Sequence, residues 1–352
     1  MAQQIGLPRW LTVLLGTAAI VGIILGLQQA RVVLVPFLLA AFLAGIAIGP
    51  VRWLVSFRVP TPVAVAVVVL VMGSTLAFLV SVVASSLGPF FSRLPIYQER
   101  LRDDLLSLLG RVNSGDLPIS GDEIVKWVDP GAALGFAGNL LTGVSGVFGS
   151  GFLIFFALVF MLLEASHFPG KVRAAFKSSD ETLERLQTLN RSLNRYLGLK
   201  TIISLFTGVT VYVFLRLFGV DFALIWGLVA FLLNFIPNIG SFIAAIPAVI
   251  VAYLQLGPGT AALVALGYLV INSTVGGFIE PRVMGGGMGL SPLVVFFSIF
   301  LWGWILGVVG MLLSVPLTMA IKLALESRET TRCWAVLLGP REPEPAAAPA
   351  AE

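Results

Sequence analysis

The sequence predicts an all-α polytopic membrane protein of about eight transmembrane segments. Two hairpins in its C-terminal half are interrupted by glycine and proline. Three observations carry this reading. Of the 352 residues, 58% are hydrophobic and only 11% charged, where soluble domains carry about a quarter charged residues. The mean hydropathy is +0.99. Apolar stretches recur along the chain, each long enough for roughly 30 Å of hydrocarbon at about 1.5 Å per helical residue.

Residues 1–87 form a three-span region. Leu11 to Gln29 is the first span, Arg31 marks a tight turn, and Val32 to Gly49 returns towards Pro50, Arg52 and Arg58. Thr61 to Leu87 crosses again. Leu11 to Leu27 follows Arg9 but has no small-residue cleavage site after it, so it is expected to be a retained helix rather than a signal peptide. Residues 88–146 are mixed and polar, with an amphipathic helix expected where Leu94, Tyr97, Leu101, Leu105 and Leu108 recur at helical spacing. The fourth span lies within residues 147–166 and ends near Glu164.

Residues 167–200 are basic and amphipathic. Lys171, Arg173, Lys177, Arg185, Arg191, Arg195 and Lys200 stand against Asp180, Glu181 and Glu184. Leu183, Leu186, Leu193 and Leu197 line one face. Residues 201–325 form a region of interrupted apolar segments, and residues 326–352 a Pro/Ala/Glu-rich tail expected to be disordered. Lys and Arg concentrate on the cytoplasmic side of membranes. Placing 167–200 inside puts both termini in the cytoplasm, 88–146 outside, and the chain in the inner (cytoplasmic) membrane.

The stretch FLLNFIPNIGS, Phe231 to Ser241, breaks an apolar run from Phe222 to Leu254. Pro237 removes a backbone donor and clashes with the preceding turn. Backbone freed at membrane depth persists only where protein buries it or a wet cavity meets it, and broken helices build solute sites in many secondary transporters. A second long apolar segment, 292–325, is interrupted by glycines and Pro316. If 222–254 dips in from outside, 292–325 dips in from the cytoplasm. Two full short spans with a tight turn satisfy the same parity in either segment.

Ionisable groups inside spans are costly and point to function. Glu280 is a candidate for binding a solute, a cation or a proton; its structural alternative is pairing with Arg282 or an exposed base. Glu164 is a second cation or proton candidate, for which a pair with a nearby Lys or Arg is the better expectation. Asn234, Asn238 and Ser241, at spacings of four and three, share a helical face beside Pro237, and Asn272 begins a polar cluster with Ser273 and Thr274. These are candidate solute contacts, with interhelical hydrogen bonding as the alternative. Gly240, Pro281, Gly285, Gly286 and Gly287 are candidate hinge positions. Asp221 is expected to cap a helix start.

Other functions find no support. Cys333 and His167 are the only residues of their types, so no intrachain disulfide and no Cys/His metal site can be built. No cofactor is expected. The glycines at 285–289 lack the GK[ST] of a phosphate loop. No nucleophile–base pair or paired catalytic acids can be assembled, and no enzyme is expected. The low charge content argues against nucleic-acid binding.

NFIPNIGSF (234–242), FIEPRVMGGGMGLSPLVVFFSI (278–299) and GVVGMLLSVPL (307–317) together resemble the AI-2E transporters, a family that includes autoinducer-2 exporters and related permeases. The resemblance extends over nearly the whole chain. Asn234, Pro237 and Gly240 match the family's Asn-x-x-Pro-x-x-Gly stretch, and Pro281 matches its proline before the glycine run. Two positions depart from the pattern. Asn238 stands where the family often has an aromatic residue, and Gly198-Leu199 where it often has Gly-Gln. The resemblance implies a homo-oligomer, with five subunits as the family's pattern. It implies export of small polar molecules, with sodium/proton antiport in some members.

Three functions follow. The first is a gradient-driven secondary transporter exporting a small polar metabolite or signal molecule. The second is a sodium (or other cation)/proton antiporter. The third is a non-transporting membrane scaffold. The expected partners are a small polar solute, H+ or Na+, the lipid bilayer and further copies of the chain.

Overall fold

The computed structural model describes residues 9–112, 135, 138–139, 142, 151–165, 171, 180–237, 239–284, 289–326 and 331–339, and every regular element among them is helical. These are α1 (Arg9–Ser56), α2 (Thr61–Val112), α3 (Gly151–Ala165), α4 (Asp180–Leu217), α5 (Ala223–Leu233), α6 (Gly240–Leu256) and α7 (Pro258–Thr274). A π-turn (Val275–Ile279) leads into α8 (Glu280–Met284), followed by α9 (Pro292–Leu306), α10 (Val308–Leu312), α11 (Ser314–Glu326) and α12 (Arg332–Leu337). Among the described residues four helical stretches are long and apolar enough to cross a membrane: Leu14–Ser56, Thr61–Tyr97, Arg191–Leu217 and Pro258–Met284. Gly151–Glu164, Ala223–Leu233, Gly240–Leu256 and Pro292–Leu306 are apolar but shorter.

Several expected boundaries fall inside helices. The turn expected at Arg31 is absent, and α1 runs unbroken for 48 residues, about 72 Å. Gln28, Gln29, Ala30 and Arg31 are good helix formers, and no glycine or proline stands beside them to stop propagation. Arg9 and Arg52 therefore lie at opposite ends of one helix instead of the same end of a pair. The parity count that placed both termini in the cytoplasm loses one crossing. α2 continues across 87/88, through Pro89 and Pro95, and α4 carries the basic segment across 200/201 into the apolar one without a break.

The break around Pro237 is present. α5 ends at Leu233 and α6 begins at Gly240. A Cβ at Gly240 would lie 1.7 Å from the Leu233 carbonyl oxygen, so only glycine lets the turn close. The second long segment breaks at Gly307 (φ 71°), while Pro316 lies inside α11. There Gly310 presses on the Trp302 carbonyl in the same way, at 1.9 Å from an added Cβ.

Both segments fold back on themselves. Gln255, at the end of α6, accepts from the Asp221 amide at 2.7 Å and donates to the Gly219 carbonyl at 3.0 Å, closing the ends of α5–α6. Lys322 of α11 donates to the Gly289 carbonyl, closing the ends of α9–α11. The first pair of ends lies where α4 finishes. The second lies near its Tyr196–Leu197 region, because Leu290, Val295 and Val315 share a core cluster with those two residues.

α4 is the axis of this arrangement. Gly208 and Gly227 bring α4 and α5 into backbone contact: a Cβ on either would meet the other's carbonyl oxygen at 2.8–2.9 Å. Small residues permit such close crossings where lipid supplies no hydrophobic drive between helices. Phe90, Trp226, Val251, Val264 and Ile299 fill the main core around this crossing. A second core joins α1, α2 and α3 through Ala40, Val65 and Leu158. Many large apolar side chains, among them Phe152, Leu217, Leu293 and Phe297, remain exposed as a lipid-facing surface requires.

Candidate functional site

α4 presents one buried face of Leu197, Lys200, Ser204, Thr207, Gly208 and Val211. The spacing of three and four is that of a single helical stripe. Lys200 lies in this stripe, and only 2% of its side chain is exposed. Its Nζ is 2.5 Å from Oε1 of Glu280, whose side chain is 20% exposed. An isolated charge cannot remain at such a position; a pair can, if its geometry is good.

The π-turn explains how Glu280 reaches Lys200. Pro281 has no N–H to return to Gly277, and the turn before it widens to the π register. A π-turn accommodates one extra residue. Glu280 then takes the angular position of a residue about seven α-helical steps beyond Asn272, which is two turns along the same face. Tyr268, Asn272 and Glu280 therefore share the face of α7–α8 that carries the ion pair. π-turns of this kind recur at functional sites.

One turn along α4 from Lys200, Ser204 accepts from Asn234 Nδ2 at 3.0 Å, and Ser241 donates to Asn234 Oδ1 at 3.0 Å. Asn234 is buried. Both ends of its amide are thus engaged, and it ties α4, the tip of the α5–α6 hairpin and the first turn of α6 together. Pro237 is buried in that tip. Asn272 is half-buried, with Tyr268 fully buried one turn before it. Asn238, Gly285, Gly286 and Gly287 lie outside the described residues. Gly240 opens α6 after the break at Pro237, and Pro281 stands in α8, just after the π-turn.

The C-terminal end of α4 adjoins a second polar cluster. Arg93 of α2 pairs with Asp221, and Tyr97 donates to the same carboxylate oxygen at 2.9 Å. Arg93 also lies 5.6 Å over the Phe222 ring, and Arg100 donates to the Leu254 carbonyl at 3.1 Å. Asp221 is therefore not the expected helix cap. The residue before α5 is Phe222, which makes no side-chain cap, and the Asp221 carboxylate is taken by α2.

The sequence candidates separate. Glu280, Asn234 and Ser241 lie along the α4 stripe. Glu164 is half-exposed and pairs with Lys171, the structural alternative named for it. Glu280 pairs with neither Arg282 nor an exposed base. Its partner Lys200, counted only as a loop charge above, was legible in principle, because it continues the three-and-four spacing of Leu193 and Leu197. Ser204 was missed for lack of a charge. Among the described residues no three His, Cys, Asp or Glu side chains are grouped as metal ligands.

The family model described as AI-2E family transporter matches residues 14–329. The chain is 39% identical over 338 residues to the AI-2 transport protein TqsA of Escherichia coli (strain K12), covering 96% of this chain and 98% of that protein. It is 40% identical over 332 residues to the putative transport protein YhhT of the same strain, covering 94% and 95%. A putative transport protein of Haemophilus influenzae is 39% identical over 332 residues, covering 93% and 95%.

Proposed function

Since this chain belongs to the AI-2E transporter family, we propose that it is a gradient-driven secondary transporter exporting a small polar metabolite or signal molecule of the autoinducer-2 type. The observation that carries this reading is the Lys200–Glu280 pair, buried inside two helical stretches each long and apolar enough to span a membrane. A charge pair buried within such stretches is costly, and such groups mark solute or ion paths. The name of the relative TqsA supports the substrate class.

The solute passes between α4 and α7. Ser204, Asn234 and Ser241 offer hydrogen-bonding groups in exchange for those they now give each other, Asn272 adds its amide, and Glu280 with Lys200 closes one end. Pro237 shapes the hairpin tip. The α5–α6 and α9–α11 segments act as re-entrant hairpins, with Gly240, Pro281 and the 285–287 glycines as hinges. The Lys200 end faces the cytoplasm, because Arg191, Arg195 and Lys200 lead α4 into the membrane there. The functional unit is a homo-oligomer in the inner membrane.

A second reading is sodium or cation/proton exchange. It is supported by Glu280, a carboxylate inside a spanning helix; Glu164, on exposed Lys171, is the weaker candidate. Flux in proteoliposomes separates the two. Wild type, Glu280→Gln and Asn234→Ala are compared under imposed proton or sodium gradients with an autoinducer-2-like furanone, polyols and sugars. Solute flux lost in both variants supports export. Cation exchange without solute flux, lost in Glu280→Gln, supports the second reading. Neither flux from wild type overturns both and leaves the scaffold.

A further inference from the structure

Two ion pairs stand at the two ends of the apolar part of α4 (200–217), with a buried polar stripe between them. Lys200 pairs with Glu280 where the helix enters its apolar part. Asp221 pairs with Arg93 just past the helix end. Lys200 and the last residue of α4, Leu217, are seventeen helical steps apart, about 26 Å, which is close to the roughly 30 Å hydrocarbon thickness. Between them Ser204 and Thr207 are at most 1% exposed.

The two ends join different elements. The Lys200 pair ties α4 to the π-turn side of α7–α8. The Asp221 cluster ties α2, through Arg93, Tyr97 and Arg100, to the α4–α5 link and the end of α6. That link is held in an unfavourable backbone conformation. Gly219 has φ 72° and Phe222 has φ 60°, a left-handed value that a bulky side chain rarely adopts. Such strain persists only where surrounding contacts over-determine it, and here Gln255, Trp226 and the Arg93 pair supply them. Arg93 is one of three α2 side chains, with Tyr97 and Arg100, that hold the two ends of the α5–α6 hairpin where they meet at this link.

We propose that Arg93–Asp221 and Lys200–Glu280 are paired latches at the two ends of the apolar part of α4, one opening while the other holds, so that the polar stripe between them meets one side of the membrane at a time. The proposal rests on the transport reading above and extends it to the end of α4 that the solute contacts do not reach. The Arg93 side chain is half-exposed whereas Lys200 is buried. Water competes for the first pair and not the second, so the Asp221 end is the easier to open.

The test is accessibility, which needs no solute. A Thr207→Cys reporter is placed in a Cys333→Ser chain, in sealed vesicles of each orientation, and labelled with a membrane-impermeant maleimide. With both latches intact, labelling from either side is low. Arg93→Ala raises it about tenfold from the Asp221 side only, within the range typical of coupled two-state elements. Glu280→Gln raises it from the Lys200 side only. The swap Arg93→Asp with Asp221→Arg restores protection. Unchanged labelling in Arg93→Ala, or simultaneous opening at both ends, overturns the proposal. An Arg93→Cys/Asp221→Cys disulfide gives the check that needs no weakened variant: it must protect the reporter from the Asp221 side, and labelling through the closed disulfide also overturns the proposal. Side-specific labelling in a protein without flux sinks the transport reading alone.

Discussion

Lys200 Nζ and Glu280 Oε1 lie 2.5 Å apart although the residues are 80 positions distant in sequence. The pair exists because a helical face brings the lysine inwards and a π-turn rotates the glutamate to meet it. Removing one partner leaves the other charged and buried, which costs about 3–5 kcal/mol, whereas replacing both with apolar groups is often neutral or stabilising.

Glu280→Gln is therefore expected to lower the unfolding free energy in detergent by about 3 kcal/mol or more. The double variant Lys200→Met/Glu280→Met should recover most of that loss. If transport is still absent in the recovered protein, the pair serves function as well as folding. Denaturant unfolding and proteoliposome flux, measured on the same preparations, give both readings.

Gly240→Ala and Gly310→Ala should each be among the most destabilising substitutions in the chain. Their Cβ atoms would sit 1.7 Å and 1.9 Å from backbone carbonyl oxygens, which cannot yield as a side chain can. Overpacking of this kind costs about 1–3 kcal/mol and sometimes more. Gly26→Ala is the control, because nothing lies within 4 Å of its added Cβ. Midpoints of thermal unfolding check all three.

Asn234→Ala should cost more than either Ser204→Ala or Ser241→Ala. It removes two hydrogen bonds, and each is worth about 1 kcal/mol net. Ser204→Ala leaves the Asn234 amide hydrogen orphaned, and Ser241→Ala leaves its oxygen without that donor. The costs of Ser204→Ala and Ser241→Ala should not add, because both bonds pass through one amide. A double-mutant cycle on thermal stability measures the coupling.

Tyr268→Phe should leave stability unchanged or raise it. The Tyr268 hydroxyl is buried without a partner among the described residues, and an unsatisfied buried group costs about 1–3 kcal/mol. Deleting the oxygen removes that cost and leaves the ring in the apolar core it shares with Trp226 and Val251. A fall in the unfolding midpoint would show that the oxygen has a partner in the membrane-embedded protein.

The helix break at Pro237 was legible because the proline stands among Asn234, Asn238 and Gly240; proline alone marks no break, since α2 continues through Pro89 and Pro95. The continuity of α1 was not legible. Arg31 between two apolar runs looks like a polar turn, yet Gln, Ala and Arg favour helix as strongly as their neighbours do. Asp221 resembled a cap by position, and α2 took its carboxylate from 128 residues away. The role of Lys200 was masked by its basic neighbours on α4.

By itself the sequence determined that this is a helical membrane protein, where its long apolar segment fails near Pro237, and which family it belongs to. Those properties follow from local terms: transfer of side chains to lipid, backbone donors lost at proline, and residue types at fixed spacing. Only the tertiary structure decided which charges meet. Helix rotation is set by every packed residue at once, and one additional residue in the π-turn at 275–279 is enough to bring Glu280 from a neighbouring face onto Lys200.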